Sequence, residues 1–446
     1  MRNLRLTFWG LAAMVTLLWL LADLSVFRSS GFFAIRNAAV QYSGVLAIIC
    51  MSVAMILAIR PRWPEHWLGG LDKMYRIHKW LGIAALVTAI VHWLWAKGPK
   101  WAVGWGWLER PSRGPQPPAS NPVEALFANL RHTAEGLGEW AFYAVVALIA
   151  VALIQRIPYS FFYRTHRFLA LVYLVLVFHA VVLTTFGYWM SPFGLTLAVL
   201  LSYGTWAAIL VLLRRAGRNR QVSGRITAIH YYPGVRALET TLDVEQGWPG
   251  HRPGQFAFAV SDPAEGPHPY TIASAWSEQE RRITFIAKGL GDHTRRLPEK
   301  LHVGQEVRIE GPYGCFSFDD DCARQIWIGG GIGITPFIAR MQYLAQSAGG
   351  ARPEIDLFYS TAEVDEEALD KLKADEAAAH IRLHVLIDTR DGRLDGERIR
   401  ATVPEWREAS IWFCGPIGFG EMLRRDFAAL GFPVAKRFHQ ELFAMR

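Results

Sequence analysis

Apolar side chains run in long, nearly unbroken blocks through residues 1–213, whereas beyond Gly217 they fall into short alternating or short apolar segments set between polar ones. Six of the long blocks approach the ~20 residues that an α-helix needs to cross the hydrocarbon of a bilayer. They are Leu6–Phe27, Ala38–Ile59, Ile77–Ala96, Leu137–Ile154, Phe168–Tyr188 and Ser191–Leu213. The stretch Lys97–Glu135 between the third and fourth is rich in Pro, Gly and Trp, which predicts an irregular external loop with interfacial aromatics. From Gly224 onward, Arg225–His230, Gln255–Val260 and Arg282–Lys288 read as strands of a small antiparallel β-barrel. Beyond Cys322 the pattern changes again. Gln325–Ile328, Ile355–Tyr359, Ile381–Ile387 and Ser410–Phe413 are short apolar strands separated by helical stretches, as in a parallel α/β sheet. The predicted fold class is a six-helix transmembrane bundle followed by a β-barrel domain and an α/β domain, divided as 1–216, 217–320 and 321–446.

Composition supports a membrane class, with 52% hydrophobic residues and 18 Trp in 446 residues. The net charge of +8 invites a nucleic-acid reading, but Arg60, Arg62, Lys73, Arg214, Arg215, Arg218 and Arg220 flank apolar blocks and read as topology signals instead. With the N-terminus inside, thirteen Lys and Arg fall on the inner loops against seven on the outer ones. Arg28, Arg110 and Arg113 are among the outer seven. Six spans then return the C-terminal half to the cytoplasm. Leu6–Phe27 is too long for a signal-peptide core and is taken as the first span. The cysteines Cys50, Cys315, Cys322 and Cys414 form neither CxxC nor CxxCH, so a disulfide framework, a zinc site and covalent haem attachment lack support.

Four histidines stand out in the apolar half: His78 and His92 in the third span, His166 and His179 at the start and middle of the fifth. An imidazole in hydrocarbon is costly unless it is paired or liganded. Each pair is separated by roughly 20 Å of helix at 1.5 Å per residue, and the two spans run in the same direction. His78 and His166 therefore share the inner level, and His92 and His179 the outer. That arrangement suits two bis-histidine haems b stacked across the bilayer, with the four histidines as iron ligands. The other reading is of interfacial histidines touching headgroups or polar partners. Helical phase is a difficulty: 13 residues at about 100° each leave His166 and His179 about 140° apart on one continuous helix.

In the second half, His251-Arg-Pro-Gly-Gln-Phe256 followed by His268-Pro-Tyr-Thr-Ile-Ala-Ser274 resembles the flavin domain of the ferredoxin-NADP reductase type, in the version found in the NADPH oxidase and ferric reductase superfamily. The resemblance implies that Tyr270 packs on the isoalloxazine of FAD, that Thr271 hydrogen bonds near its reactive nitrogen, and that His268, with Pro269 beside it, takes the place of a phosphate-binding basic residue. Lys288-Gly-Leu-Gly-Asp-His-Thr294 resembles the turn that receives the FAD pyrophosphate, through Gly291 and Thr294. Gly329-Gly-Gly-Ile-Gly-Ile-Thr-Pro336 follows an apolar strand and precedes a helix, where Gly329, Gly330, Gly331, Gly333 and Thr335 suit a dinucleotide pyrophosphate. Cys414 in Cys-Gly-Pro416 is implied to lie beside the nicotinamide carbon that gives up hydride, and Phe443 to cover the flavin until nicotinamide displaces it. For Tyr270, Cys414 and Phe443 the alternative is ordinary packing.

These parts imply a multi-pass cell-membrane oxidoreductase that carries electrons from cytoplasmic NADPH or NADH through FAD and two haems to an extracytoplasmic acceptor. Ferric chelate and dioxygen both suit such an acceptor. A different class of function is an electron-donor subunit serving a partner protein. Arg36, at the outer end of the second span, resembles an arginine kept near the outer haem by some oxygen-reducing relatives, but better suits snorkelling or a haem propionate. Phe358-Tyr-Ser-Thr361 offers only hydroxyls where NADPH-preferring relatives often carry an arginine, with Arg390 and Arg393 as substitutes, so the nicotinamide preference stays open.

Overall fold

The protein was analysed as a computed structural model that describes residues 2–24, 31–109, 119, 121–154, 156–262, 265–347 and 352–441. The chain divides into two compact units, one made of Met1–Leu68 and Lys73–Ala216, the other of Gly69–Asp72 and the chain from Gly217 onward.

The first unit is helical: α1 (Arg2–Ala22), α2 (Phe32–Ala58), the short α3 (Glu65–Leu68), α4 (Leu71–Gly104), α5 (Pro122–Leu153), α6 (Tyr159–His166), α7 (Phe168–Leu183) and α8 (Pro192–Leu212). Six helical segments among the described residues are long and apolar enough to cross a membrane, Tyr159–Leu183 counting as one. The expectation of an irregular loop over Lys97–Glu135 is corrected at both ends: α4 runs on to Gly104 and α5 begins at Pro122. The start of α5 has a local cause, since Asn121 caps the amide of Glu124 and Pro122 occupies the first turn, where its missing N–H costs nothing. At the other end α4 continues through Pro99, which leaves the carbonyl of Trp95 without its usual donor. Residues from α1, α2, α7 and α8 share a buried core around Val15, Trp19, Ile49, Tyr173, Phe193 and Leu201.

The second unit opens with β1 (Gln221–Tyr232), β2 (Ala237–Val244), β3 (Phe256–Val260), β4 (His268–Thr271) and β5 (Arg282–Lys288). The short helices α9 (Asp292–Arg295) and α10 (Leu297–Lys300) lead to β6 (Glu306–Tyr313). These strands form one antiparallel sheet in the order β4-β3-β6-β1-β2-β5. Alternate positions bury Ile226, Leu242, Ile283 and Ile309 in one core. Among the described residues, the two edges are joined by the bridge Ile272–Phe285 just past β4, so the sheet curls without the continuous ladder that a closed barrel requires.

A parallel sheet follows, in the order β11-β10-β7-β8-β9. Its strands are β7 (Arg324–Gly330), β8 (Glu354–Thr361), β9 (Arg382–Ile387), β10 (Ser410–Cys414) and β11 (Phe438–Gln440). The last was not foreseen, because three residues are too few to show a period. Between them lie α11 (Thr335–Gln346), α12 (Glu366–Ala379), α13 (Asp388–Asp391), α14 (Gly396–Thr402), α15 (Ile417–Ala429) and α16 (Val434–Arg437). Both faces are covered: Trp327 and Trp412 enter one core with Phe337 and Leu372, while Ile326, Ile328 and Phe413 enter another with Ile399 and Phe427. Leaving β7, the chain builds β8 and β9 on one side and β10 and β11 on the other, which puts the reversal of strand order beside the Gly-rich loop.

Candidate functional site

Of the four membrane histidines, His78 in α4 and His166 at the end of α6 have ring centroids 5.9 Å apart, with planes at 64°. His92 in α4 and His179 in α7 lie 6.2 Å apart, with planes at 85°. Two imidazoles on opposite sides of one metal, with metal–nitrogen bonds of about 2.0–2.1 Å and a ring radius of about 1.2 Å, place their centroids about 6.5 Å apart, within about 0.6 Å of both pairs. Rotation about the shared axis leaves the interplanar angle free. Three of the rings are also oriented from behind. Nδ1 of His78 lies 2.9 Å from the carbonyl oxygen of Ala54, Nδ1 of His92 2.9 Å from that of Val40, and Nδ1 of His179 2.8 Å from that of Ala134. A proton on Nδ1, given to that carbonyl, leaves Nε2 unprotonated and able to ligate. His166 is flanked by the ring of Phe162 at 4.9 Å. The donor set thus fits bis-histidine haem iron.

The helical-phase difficulty meets a local distortion of the fifth span. Helix α6 ends at His166, Arg167 lies in a turn that keeps right-handed helical dihedrals, and α7 restarts at Phe168. His166 and His179 stand on either side of this turn, and each ring still meets one of α4. Arg36 has a structural task that the sequence did not reveal. Its guanidinium donates to the carbonyls of Trp95 and Ala96, 3.3 Å away in each case, and so supplies the donor that Pro99 withholds from Trp95.

In the second unit, β4 carries His268, Pro269, Tyr270 and Thr271 along one edge of the antiparallel sheet. Tyr270 is half-buried with its ring 5.9 Å from that of Phe285, and Thr271 is buried opposite Phe256. The turn expected to take a pyrophosphate is closed on itself: the Thr294 hydroxyl accepts from the amides of Leu290 at 3.1 Å and Gly291 at 3.0 Å. His293, which sequence reasoning passed over, stacks on His268 at 3.8 Å with planes within 6°. Burial, then the neighbouring His293, lowers the His268 imidazole to about 4, and burial also lowers His293. Glu265 approaches the same pair. Parallel stacked rings aim their nitrogen lone pairs side by side and not at a common point, which disfavours a shared metal ion.

The Gly-rich loop and the Cys-Gly-Pro turn lie against each other, because Cys414 pairs with Gly329 across β10 and β7. A Cβ on Gly333 would run into the carbonyl of Cys414, and one on Gly330 would come 2.8 Å from Cδ of Pro416. Gly331 has φ +56° and open space before it. Close packing therefore explains two glycines, and backbone conformation a third. Thr335 is buried, and its hydroxyl donates to the carbonyl of Ile332 at 2.6 Å. Cys414 is fully buried, which pushes its thiol well above the ordinary range, with buried Glu441 adding to the effect. Phe443 lies outside the described residues, as do Arg28, Arg110 and Arg113. An isolated glycine inside an apolar helix costs about 1 kcal/mol relative to Ala, and that signal marks Gly44 and Gly138: a Cβ on either would collide with the ring of His92 or His179.

The first unit is a multi-pass membrane domain, and the second pairs an antiparallel sheet with a parallel one that presents a Gly-rich loop. Residues 43–177 match a family described as the ferric reductase like transmembrane component. The stachydrine N-demethylase reductase subunit Stc4 of Rhizobium meliloti is 29% identical over 43% of this chain and 58% of its own length. An NADPH oxidoreductase of Mycobacterium tuberculosis is 27% identical over 51% of this chain and 61% of its own. A vanillate O-demethylase oxidoreductase of a Pseudomonas species is 30% identical over 38% of this chain and 54% of its own. The chain thus spans just over half the length of these relatives. The first unit is thus similar to a ferric reductase-like transmembrane component, and the chain shares sequence with these reductases and oxidoreductases.

Proposed function

We propose that this chain is an NAD(P)H oxidoreductase of the cell membrane that moves electrons from a cytoplasmic nicotinamide through FAD and two b haems to an extracytoplasmic acceptor, ferric chelate or dioxygen. The observation that carries the reading is the pair of histidine pairs, 5.9 and 6.2 Å apart at two levels of one bundle, with backbone carbonyls behind three of the four rings. Bound FAD would accept the two electrons of a hydride and give them up singly, and b haems carry single electrons. His78 and His166 would hold the inner haem, and His92 and His179 the outer. With two histidines held ready for each iron, an acceptor would have to be reduced without binding the metal itself. Tyr270 and Thr271 would seat the flavin, and His268 with the Gly291–Thr294 turn its pyrophosphate. Gly329 to Thr335 would take the nicotinamide dinucleotide, with Cys414 and Phe443 beside the hydride. The division 1–216, 217–320 and 321–446 follows the change from helices to antiparallel and then parallel sheet, and the loop charges support a cytoplasmic second unit.

A reduced-minus-oxidised spectrum of the purified chain, with haem and flavin counted, tests this reading. Two low-spin b haems and one FAD per chain are expected, and His92→Ala or His179→Ala should remove only the outer haem. A His78, His92, His166, His179 quadruple Ala variant that keeps full haem content would refute the assignment. Reduction of ferric chelate or dioxygen by the chain alone separates this reading from that of a donor subunit needing a partner protein.

A further inference from the structure

In an open parallel sheet a dinucleotide lies across the carboxyl ends of the strands at the switch point, with its pyrophosphate on the Gly-rich loop. Here the loop follows β7, and Cys414 closes β10 on one side of it. A nicotinamide beside Cys414 sends the adenosine half the other way, over the ends of β8 and β9.

The charged groups at those strand ends have unequal freedom. Glu363 is engaged by Lys288 at 2.7 Å and by Arg236. The exposed Arg390 is held by Asp391 through contacts of 3.0 to 3.2 Å, so its charge is already matched. Arg393 is exposed. Asp388 follows β9 directly, and one of its carboxylate oxygens accepts from the Ser360 hydroxyl on β8 at 3.2 Å. That bond fixes a carboxylate across the ends of two neighbouring strands with its second oxygen still available. A carboxylate there accepts a hydrogen bond from a ribose 2′-hydroxyl, and it repels the two negative charges of a 2′-phosphate.

We propose that Asp388, positioned by Ser360, makes this chain select NADH over NADPH. The inference rests on the reading of the chain as a nicotinamide oxidoreductase and decides which nucleotide it uses. The test measures affinity for NAD⁺ and NADP⁺ by titration calorimetry, and kcat/KM for NADH and NADPH, on the full chain loaded with FAD. Wild type, Asp388→Asn and Arg393→Ala are compared. Wild type should favour the 2′-hydroxyl nucleotide at least about tenfold in both measures. Asp388→Asn, which keeps an acceptor and loses the charge, should hold NADH within about threefold and improve NADPH about tenfold. Arg393→Ala should leave the ratio unchanged. A wild type that prefers NADPH, especially one that loses that preference in Arg393→Ala, overturns the inference, as does an unaltered ratio in Asp388→Asn at full FAD content. If neither nucleotide binds or reduces the flavin, the oxidoreductase reading itself fails, a result distinct from a reversed preference.

Discussion

Replacing Gly138 with Ala should empty the outer haem site while leaving the bundle folded. A Cβ at this position of α5 would lie 2.8 Å from Cγ of His179 and still deeper inside its Nδ1 and Cε1. Restoring an ordinary contact of about 3.4 Å requires about 0.6 Å of retreat at Cγ and more than about 1 Å at Nδ1 and Cε1, several times the roughly 0.2 Å that a metal–ligand bond tolerates. The same retreat gives up the contact of Nδ1 with the Ala134 carbonyl, 2.8 Å in the wild type. Against this, Ala favours the helix itself by about 1 kcal/mol, so loss of haem cannot be put down to a weakened α5. The haem content of purified Gly138→Ala should fall to half that of wild type, and a redox titration should lose one component. Gly82→Ala is the control, since a Cβ on this glycine of α4 meets nothing within 4 Å. Gly44→Ala should be intermediate, because its Cβ would stand 2.9 Å from Cε1 and Nδ1 of His92 and asks for a shift of only about 0.5 Å. A Gly138→Ala protein with full haem and an unchanged spectrum would refute the seating of His179 against α5.

Arg36→Met should lower the thermal stability of the detergent-solubilised chain by about 1–3 kcal/mol through the carbonyls it leaves unmet. Pro99→Ala in that background should restore most of the loss by returning a donor to Trp95; failure to rescue would return Arg36 to an electrostatic role. Flavin affinity should rise as the pH falls from about 7.5 towards 5.5. His268 is neutral in the flavin-free chain at these values, its imidazole being lowered to about 4, so a pyrophosphate beside it raises its pKa and binding takes up a proton. The gain is up to about tenfold per pH unit for each histidine protonated. Fluorescence titration of FAD reads it, His268→Phe should flatten the slope, and affinity that weakens with acid contradicts the pairing. Phe443→Ser, at full FAD occupancy, should tighten the oxidised nicotinamide nucleotide, and unchanged kcat and KM would leave Phe443 to packing.

Much of this architecture was legible because the bilayer and the strand period write strong patterns. The apolar blocks located all six helical segments that, among the described residues, are long and apolar enough to cross a membrane, and Arg282–Lys288 was placed to the residue. What escaped notice depends on neighbours remote in sequence. The helix through Pro99 looked like a loop because Pro lacks a donor, and only the approach of Arg36 from α2 explains how the carbonyl is satisfied. The stacking of His293 on His268 joins a turn to an edge strand 25 residues away, beyond the reach of local periodicity. The turn at Arg167 left no Pro or Gly as a signal, although the mismatch between 14-residue and 13-residue spacings already asked the fifth helix to tilt, distort or hold its two sites unevenly.

The glycines near the histidines follow one rule that the sequence carries in plain sight. The carbonyls behind His92 and His179 belong to Val40 and Ala134, and the residues four positions later are Gly44 and Gly138. A helical side chain covers the surface one turn towards the N-terminus of its own Cα, so the residue at i+4 shields the carbonyl at i. With hydrogen there instead of a side chain, an imidazole can reach the outward lone pair of a carbonyl already engaged within its helix. The third case fits: His78 reaches the carbonyl of Ala54, and the residue four further on is Ala58, the smallest side chain after glycine. A small residue four positions after the acceptor thus fixes both where the ring sits and which nitrogen keeps its proton. The nitrogen left unprotonated, and so free to act as a ligand, is set by the helices behind the histidines as much as by the histidines themselves.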